Sequence, residues 1–272
     1  MKSNMATFAA ATLTLFLSNL ATGATTEELK IGGTGNGLGT MRLLGTAFSK
    51  AYPEVRVTIL GSLGSSGAMK AVPKGAIDIG IASRALTEVE RKEGLLITEY
   101  ARTPTVFAVS NKSSVSGVTR DQMADIYAGR LVKWADGTTI RPILRQPGDD
   151  NTKQVRGLSV AIDQALTVAE QRSGLPFAVI DQEAAEKIEA IPGGIGVTTL
   201  ALIMSEGRSL KALTLDTVEP TPQNAASGAY PLVKHFYFVT KSVQAPVVQK
   251  FIGFVKTAAG RDLLANNGHW IP

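Results

Sequence analysis

The segment VRVTILGSLGSSGAMKAVPKGAIDIGIASR, residues 55–84, decides the fold. Its opening residues form a β-branched apolar run that ends in the glycine–serine loop GSLGSSG, which reads as a strand and its exit. SGAMKAV has room for one short helix, and AIDIGIAS is a further apolar strand. A strand, a helix and a strand in so few residues make a parallel pair with a crossover helix. In such sheets ligands sit beyond the carboxyl ends of the strands. Lys70, Lys74 and Arg84 lie in or beside this stretch, with a single acid, Asp78, between Leu60 and Arg84.

Working outward, the same grammar holds on both sides. LKIGGTG is a strand running into a glycine loop. LGTMRLLGTAFSKAY places Leu38, Met41, Leu44, Phe48 and Ala51 at helical spacing, and Pro53 stops it. The loops GTGNGLG, GSLGSSG and IASR, which follow three successive strands, are expected at one edge of the sheet. Thr87 and Glu90 have capping-box spacing. After the apolar strand TPTVFAVSN the pattern restarts. VTRDQMADIYAG is a helix with Thr119 and Gln122 in capping-box spacing and Gly129 as its stop. IRPILRQ reads as a strand, PGDDNT as a turn, and a long helix is expected from about Thr152 to Arg172. The apolar run LPFAVID, a helix after Asp181, GGIGVTTLALI, KALTLD, the strand YPLVKHFYFVTK and two terminal helices complete the chain. The expected fold class is α/β, with two lobes: residues 25–108 plus 230–272, and residues 109–229. Each lobe is a mostly parallel sheet flanked by helices. Strand crossings at about 104–108 and 232–238 would join them and leave a cleft between.

Composition bounds the function. The 272 residues are 44% hydrophobic and 19% charged, with a net charge of +5, which is ordinary for a globular chain. The basic residues are scattered, and no dense Lys/Arg tract of the nucleic-acid-binding kind occurs. No cysteine is present, which removes disulfides, thiol catalysis and cysteine metal sites. At the start, Lys2, an apolar run from Phe8 to Leu20, and the small residues Ala21, Gly23 and Ala24 follow the pattern of a secretory signal peptide. Residues 1–24 are therefore expected to be that signal, and the mature chain a free periplasmic protein.

Catalytic constellations are scarce. His235 sits inside an apolar strand and His269 near the terminus, neither with a nucleophile or orienting acid nearby in sequence. The G-x-S-x-G elbow is absent. GTGNGLG has its glycines at the wrong offsets for a dinucleotide loop, with no acid about 20 residues on. Metal-ligand spacings are missing, so neither cofactor nor metal is expected. Loops before helices point instead to oxyanion binding, because helix starts present free N–H groups and positive partial charge. Ser65, Ser66 and Gly67 precede one helix, and the amides of Asn36, Gly37 and Leu38 open another. RQPGDDNT precedes the longest helix, where Arg145 adds a planar fork suited to an oxyanion.

The strings TGNGLG, GSLGSSGAMKAVPKGAIDIGIASR, VTRDQMADIYAGRLVKWADG, IPGGIGVTTLAL, SGAYPLVKHFYFVT and FIGFVKTAAGRDLLANNG resemble, in order and over almost the whole mature chain, the periplasmic substrate-binding proteins of phosphate ABC transporters. The resemblance implies the type II periplasmic binding protein fold, closing on an anion without covalent chemistry. It implies phosphate or a similar small anion as ligand, an inner-membrane ABC permease as partner, and a monomer. On its motifs, Gly37, Leu38, Ser65, Ser83 with Arg84, and Arg145 fall at contact positions. One departure stands out. Where the family has Arg-x-x-Gly-Ser-Gly-Thr, this chain keeps Gly148 but has Asp149, Asp150 and Asn151, with Thr152 one place late. A carboxylate only accepts hydrogen bonds. Asp149 and Asp150 therefore either cap the following helix, pair with Arg145, or accept from a protonated oxyanion. Another solute on the same fold, a periplasmic sensor, and a secreted hydrolase or transferase remain as alternatives.

Overall fold

The computed structural model describes residues 26–272. The signal-peptide segment expected at residues 1–24 lies outside the described residues. Among the described residues, no helix is long and apolar enough to cross a membrane.

The first third of the chain has the expected alternation. Strand β1 (Glu27–Gly33), helix α1 (Gly35–Ala51), strand β2 (Val55–Ser62), helix α2 (Gly64–Ala71) and strand β3 (Ile79–Ala82) follow one another. β1 pairs in parallel with both β2 and β3, as crossover helices require. Leu38, Met41, Leu44 and Phe48 bury one face of α1 against this sheet, whereas Ala51 at the helix end is exposed. Phe48 meets Phe251 and Phe254 edge-on, at centroid distances of 5.2 and 5.5 Å.

Helix α3 (Glu88–Lys92) has the Thr87–Glu90 capping box. Strand β4 (Leu95–Ser110) then runs for 16 residues. Strand β5 (Gly117–Val118) leads to helix α4 (Arg120–Ala128), which has the Thr119–Gln122 capping box and ends at Gly129 in the left-handed conformation. Strand β6 is only Arg141–Pro142, with the N–H groups of Arg141 and Ile143 donating to Gly193 O and Ile195 O on either side of the proline. The single helix expected from Thr152 to Arg172 is two helices, α5 (Asp150–Arg156) and α6 (Val160–Gln171). Gly157 ends the first, and the Ser159 hydroxyl accepts from Ile162 N–H to start the second. Helix α7 (Asp181–Ala190), strand β7 (Gly194–Thr199), helix α8 (Leu200–Ser205), strands β8 (Leu210–Ala212) and β9 (Thr214–Leu215), helix α9 (Pro222–Ala226), strand β10 (Val233–Lys241) and helices α10 (Pro246–Val255) and α11 (Ala258–Ala265) follow. The run LPFAVID contributes one bridge, Phe177 to Leu144, and no strand.

The main sheet has the order β2-β1-β3-β10-β4-β7-β6, with β8 also on β4. It is parallel at both ends and antiparallel where β10 and β4 pass through its middle. β4 pairs with β10 up to Pro104, then with β7 from Thr105 onward. One strand thus belongs to both halves of the sheet. Separate apolar clusters lie on the two sides: Leu29, Phe48, Phe238 and Phe251 around β1, and Phe107, Met123, Ile162 and Tyr230 around β4 and α4.

At the turn from β1 to α1 the chain touches β3. A β-carbon on Gly33, whose φ is +155°, would lie 2.0 Å from the Ile81 carbonyl oxygen. Exposed Gly253 inside α10 has open space around it. Gly33→Ala is expected to lower stability by about 3 kcal/mol or more. Gly253→Ala is expected to raise it by up to about 1 kcal/mol, the intrinsic helix preference. Urea denaturation of the two variants checks both signs.

Candidate functional site

The strand ends of the first side open into a cleft of about 490 Å³. Thr34 and Asn36 after β1, Ser62 to Ser66 after β2, and Ser83 and Arg84 after β3 line one wall. Arg145, Gln146, Gly148 to Asn151, Lys153 and Val179 to Asp181 line the other. Three expected loops therefore do meet at one sheet edge, facing the RQPGDDN turn.

The centre of the second wall is Arg145, only 8% exposed. Its Nη1 donates to Asp181 Oδ1 at 2.7 Å, and its Nη2 to Asp149 Oδ2 at 2.8 Å. Its buried Nε–H has no acceptor among the described residues. Asp149 is also the N-cap of α5, accepting from the N–H groups of Asn151 at 3.0 Å and Thr152 at 3.4 Å. Burial pushes the Asp149 carboxyl above its ordinary value and Asp181 adds to this, while Arg145 and Lys234 pull it back. Asp181 reaches across the cleft, where its Oδ2 accepts from Asn36 N–H, at the start of α1, at 3.0 Å.

Asp150 bridges the walls differently. Its Oδ2 accepts from Ser83 Oγ at 2.7 Å. Ser65 Oγ accepts from Ser83 N–H at 3.0 Å and lies 3.2 Å from Ser83 Oγ. The Ser65 proton is therefore able to point to Ser83 or into the cleft. Arg84 is clamped by both carboxylate oxygens of Glu90, each at 2.8 Å. That pairing, helped by the bonds from Thr87, holds the Glu90 carboxyl down at about 2.

Four helix starts line the cleft, those of α1, α2, α5 and α7, and their states differ. Carboxylates already occupy α1, through Asp181, and α5, through Asp149. Both α2 and α7 begin without a side-chain cap; the start of α7 carries the Asp181 carboxylate, whereas Leu63, Gly64, Ser65 and Ser66 at the start of α2 line the cleft without an acid. The N–H groups and positive dipole end of α2 suit an anion.

The family pattern of the PBP superfamily domain matches residues 19–258. The chain belongs to the PBP superfamily. Among its relatives is a phosphate-binding protein PstS of Bacillus subtilis, 22% identical over 237 residues, which cover 83% of this chain and 74% of that protein. Among solved structures, a provisionally assigned phosphate ABC transporter substrate-binding protein with bound phosphate, from Clostridium perfringens, aligns with a TM-score of 0.75 at 23% identity. The alignment covers 90% of this chain and all of that one. An ABC-type phosphate transport receptor from Vibrio cholerae aligns at 0.62 and 22% identity, over 90% of this chain and all of that one. These likenesses give the two-lobed type II periplasmic binding protein fold.

Within that superfamily frame, the structure brings Asn36, Ser65, Ser66, Ser83, Arg84, Arg145, Asp149 and Asp150 together at the cleft. It does not bring the other four expected residues there. Leu38 is fully buried in the core. Gly37 N–H already donates to Thr34 O at 3.1 Å, and neither Gly37 nor Gly67 is among the residues that line the cleft. Thr152 faces a separate small cavity behind Arg145. The one-place delay of Thr152 rotates it by about 100° around the helix start, away from the cleft lining. Sequence reading missed Asp181 and Lys234. For Asp181 the signal was an acid at a helix start in the second half. For Lys234 it was a lysine in register with Phe236 and Phe238 on the inward face of a strand. Both histidines lie outside the cleft lining: His235 pairs with Glu99 at 2.6 Å, and buried His269 with Thr40 at 2.9 Å.

Asp149→Ala removes a helix cap together with one of Arg145's two carboxylates. It is expected to lower stability by about 1–2 kcal/mol, with Asp149→Asn costing less because an acceptor remains at the cap. Urea denaturation midpoints of the two variants check the order.

Proposed function

We propose that this protein is an exported binding protein that captures phosphate in the interlobe cleft and delivers it to an inner-membrane ABC permease. The reading divides the chain into lobes of residues 25–108 plus 230–272, and 109–229, hinged where β4 and β10 cross. It takes the protein to act as a monomer and to perform no covalent step. The observation that carries it is the uncapped start of α2, which lines the cleft together with Ser83 and Arg145. The names of the phosphate-binding relatives support the choice of anion.

The acids refine the ligand. Asp150 already accepts from Ser83, and a second carboxylate lone pair faces solvent or ligand only as an acceptor. A fully deprotonated oxyanion is repelled by it, whereas a protonated phosphate donates to it. Sulfate, which carries no proton at neutral pH, is disfavoured on this account.

Titration calorimetry tests the reading. Wild-type protein is expected to bind phosphate and to discriminate against sulfate, and Asp150→Asn is expected to let sulfate compete. Arg145→Ala is expected to weaken phosphate binding by roughly 2–4 kcal/mol, because it removes a charge-assisted donor and leaves two carboxylates unpaired. Arg145→Lys should recover only part, since the fork geometry is lost. Failure of the wild type to bind phosphate at millimolar concentration would remove the assignment.

A further inference from the structure

Lys234 is the one lysine among the described residues that is fully buried. It lies on β10 opposite Thr103 of β4, where the sheet passes from one side of the molecule to the other. No described acceptor takes a hydrogen bond from its Nζ. An ammonium in that state is strongly penalised unless opposite charge lies near. The neighbouring charges all belong to the cleft wall. The Gln154 amide donates to Val233 O at 3.0 Å, which seats α5 on the start of β10. Asp149 and Asp150 at the head of α5, Asp181 at the head of α7, and Arg145 are the charges that act on Lys234. Across the ladder, Glu99 and Arg102 pair with each other and with His235, away from it. Lys153 lines the cleft at its exposed surface.

Charge counting gives this lysine a role. Asp149, Asp150 and Asp181 are three carboxylates, and Arg145 is one cation; Arg84 is already matched by Glu90. Three carboxylates against Arg145 leave the wall at −2 with Lys234 neutral and −1 with Lys234 as an ammonium, so an added oxyanion meets less repulsion when Lys234 holds its proton. We infer that Lys234, from beneath the cleft, supplies the compensating charge for the anion, and that anion capture is coupled to holding its proton. It is a specificity-determining residue that acts through the field, without touching the ligand.

The sign follows from linkage. Burial lowers the proton affinity of Lys234, and the three carboxylates partly restore it. A bound anion restores it further, so binding takes up a proton wherever the free protein has begun to lose one. Affinity is then full at neutral pH and falls through the alkaline range, beginning below lysine's ordinary 10.5. Above about pH 8 phosphate is already a dianion, so its own titration does not contribute; lysine's does.

This inference rests on the phosphate reading, and the experiment separates the two. Phosphate is titrated calorimetrically into wild type, Lys234→Met and Lys256→Met, an exposed lysine outside the cleft lining, between about pH 7 and pH 10, in buffers of different ionisation enthalpy. The wild type is expected to take up protons on binding at about pH 9 and to lose affinity as pH rises. Lys256→Met should keep both features. Lys234→Met should bind at least about tenfold more weakly at pH 7, with no proton uptake and no alkaline decline. A wild type that binds phosphate with no proton uptake and a flat alkaline profile overturns the inference and leaves the phosphate reading intact, even if Lys234→Met fails to fold. Uptake and decline that persist in Lys234→Met overturn it likewise. A wild type that does not bind phosphate overturns both.

Discussion

Arg145 is a buried cation that cannot stand alone, and the second wall of the cleft is arranged around that fact. Two carboxylates hold it, Asp149 at 2.8 Å and Asp181 at 2.7 Å. Removing one partner of a buried pair leaves an uncompensated charge, and the penalty is several-fold larger than for a surface pair. Each of the two acids also does a second task. Asp149 caps α5, and Asp181 caps α1 across the cleft. The ion pairs that fix the guanidinium therefore also fix the two helix starts and tie the walls together.

This arrangement narrows what an anion can use. Of four helix starts at the cleft, α1 and α5 are already satisfied by internal carboxylates and α7 carries the Asp181 carboxylate itself, which leaves α2 with its serines. Of Arg145's donors, Nε–H lacks a partner among the described residues. A wall with three acids favours a ligand that can both accept from these donors and give a proton back. It also makes every nearby cation count, including one that the ligand never touches.

Much of the fold was legible in the sequence because its signals are local. The βαβ grammar of residues 55–84, the capping boxes at Thr87 and Thr119, and the Gly129 stop all act within a few residues, and the structure has each of them. The break between α5 and α6 was also written locally, as Gly157 followed by capping Ser159, but the uninterrupted apolar spacing concealed it. IRPILRQ and LPFAVID are apolar enough for strands, yet they form only the short strand Arg141–Pro142 and the single Leu144–Phe177 bridge. At the site, serine- and glycine-rich loops were readable as donors. What the loops do not reveal is which donors are already taken. The contact from Asp181 to Asn36 joins residues 145 positions apart, and no short pattern encodes it. Leu38 was expected at the cleft through its amide at the helix start; its side chain belongs to the core face of the same helix, and the residue is not among those that line the cleft.

A crystal structure of the protein grown with phosphate tests the central claim most directly, that the free start of α2 and the remaining Arg145 donor form the anion seat. The account predicts one phosphate bound by the first N–H groups of α2, the Ser65 and Ser83 hydroxyls and Arg145, with Asp150 accepting from a phosphate oxygen. Phosphate seated on the capped starts of α1 or α5, or a cleft without phosphate at saturating concentration, would contradict it.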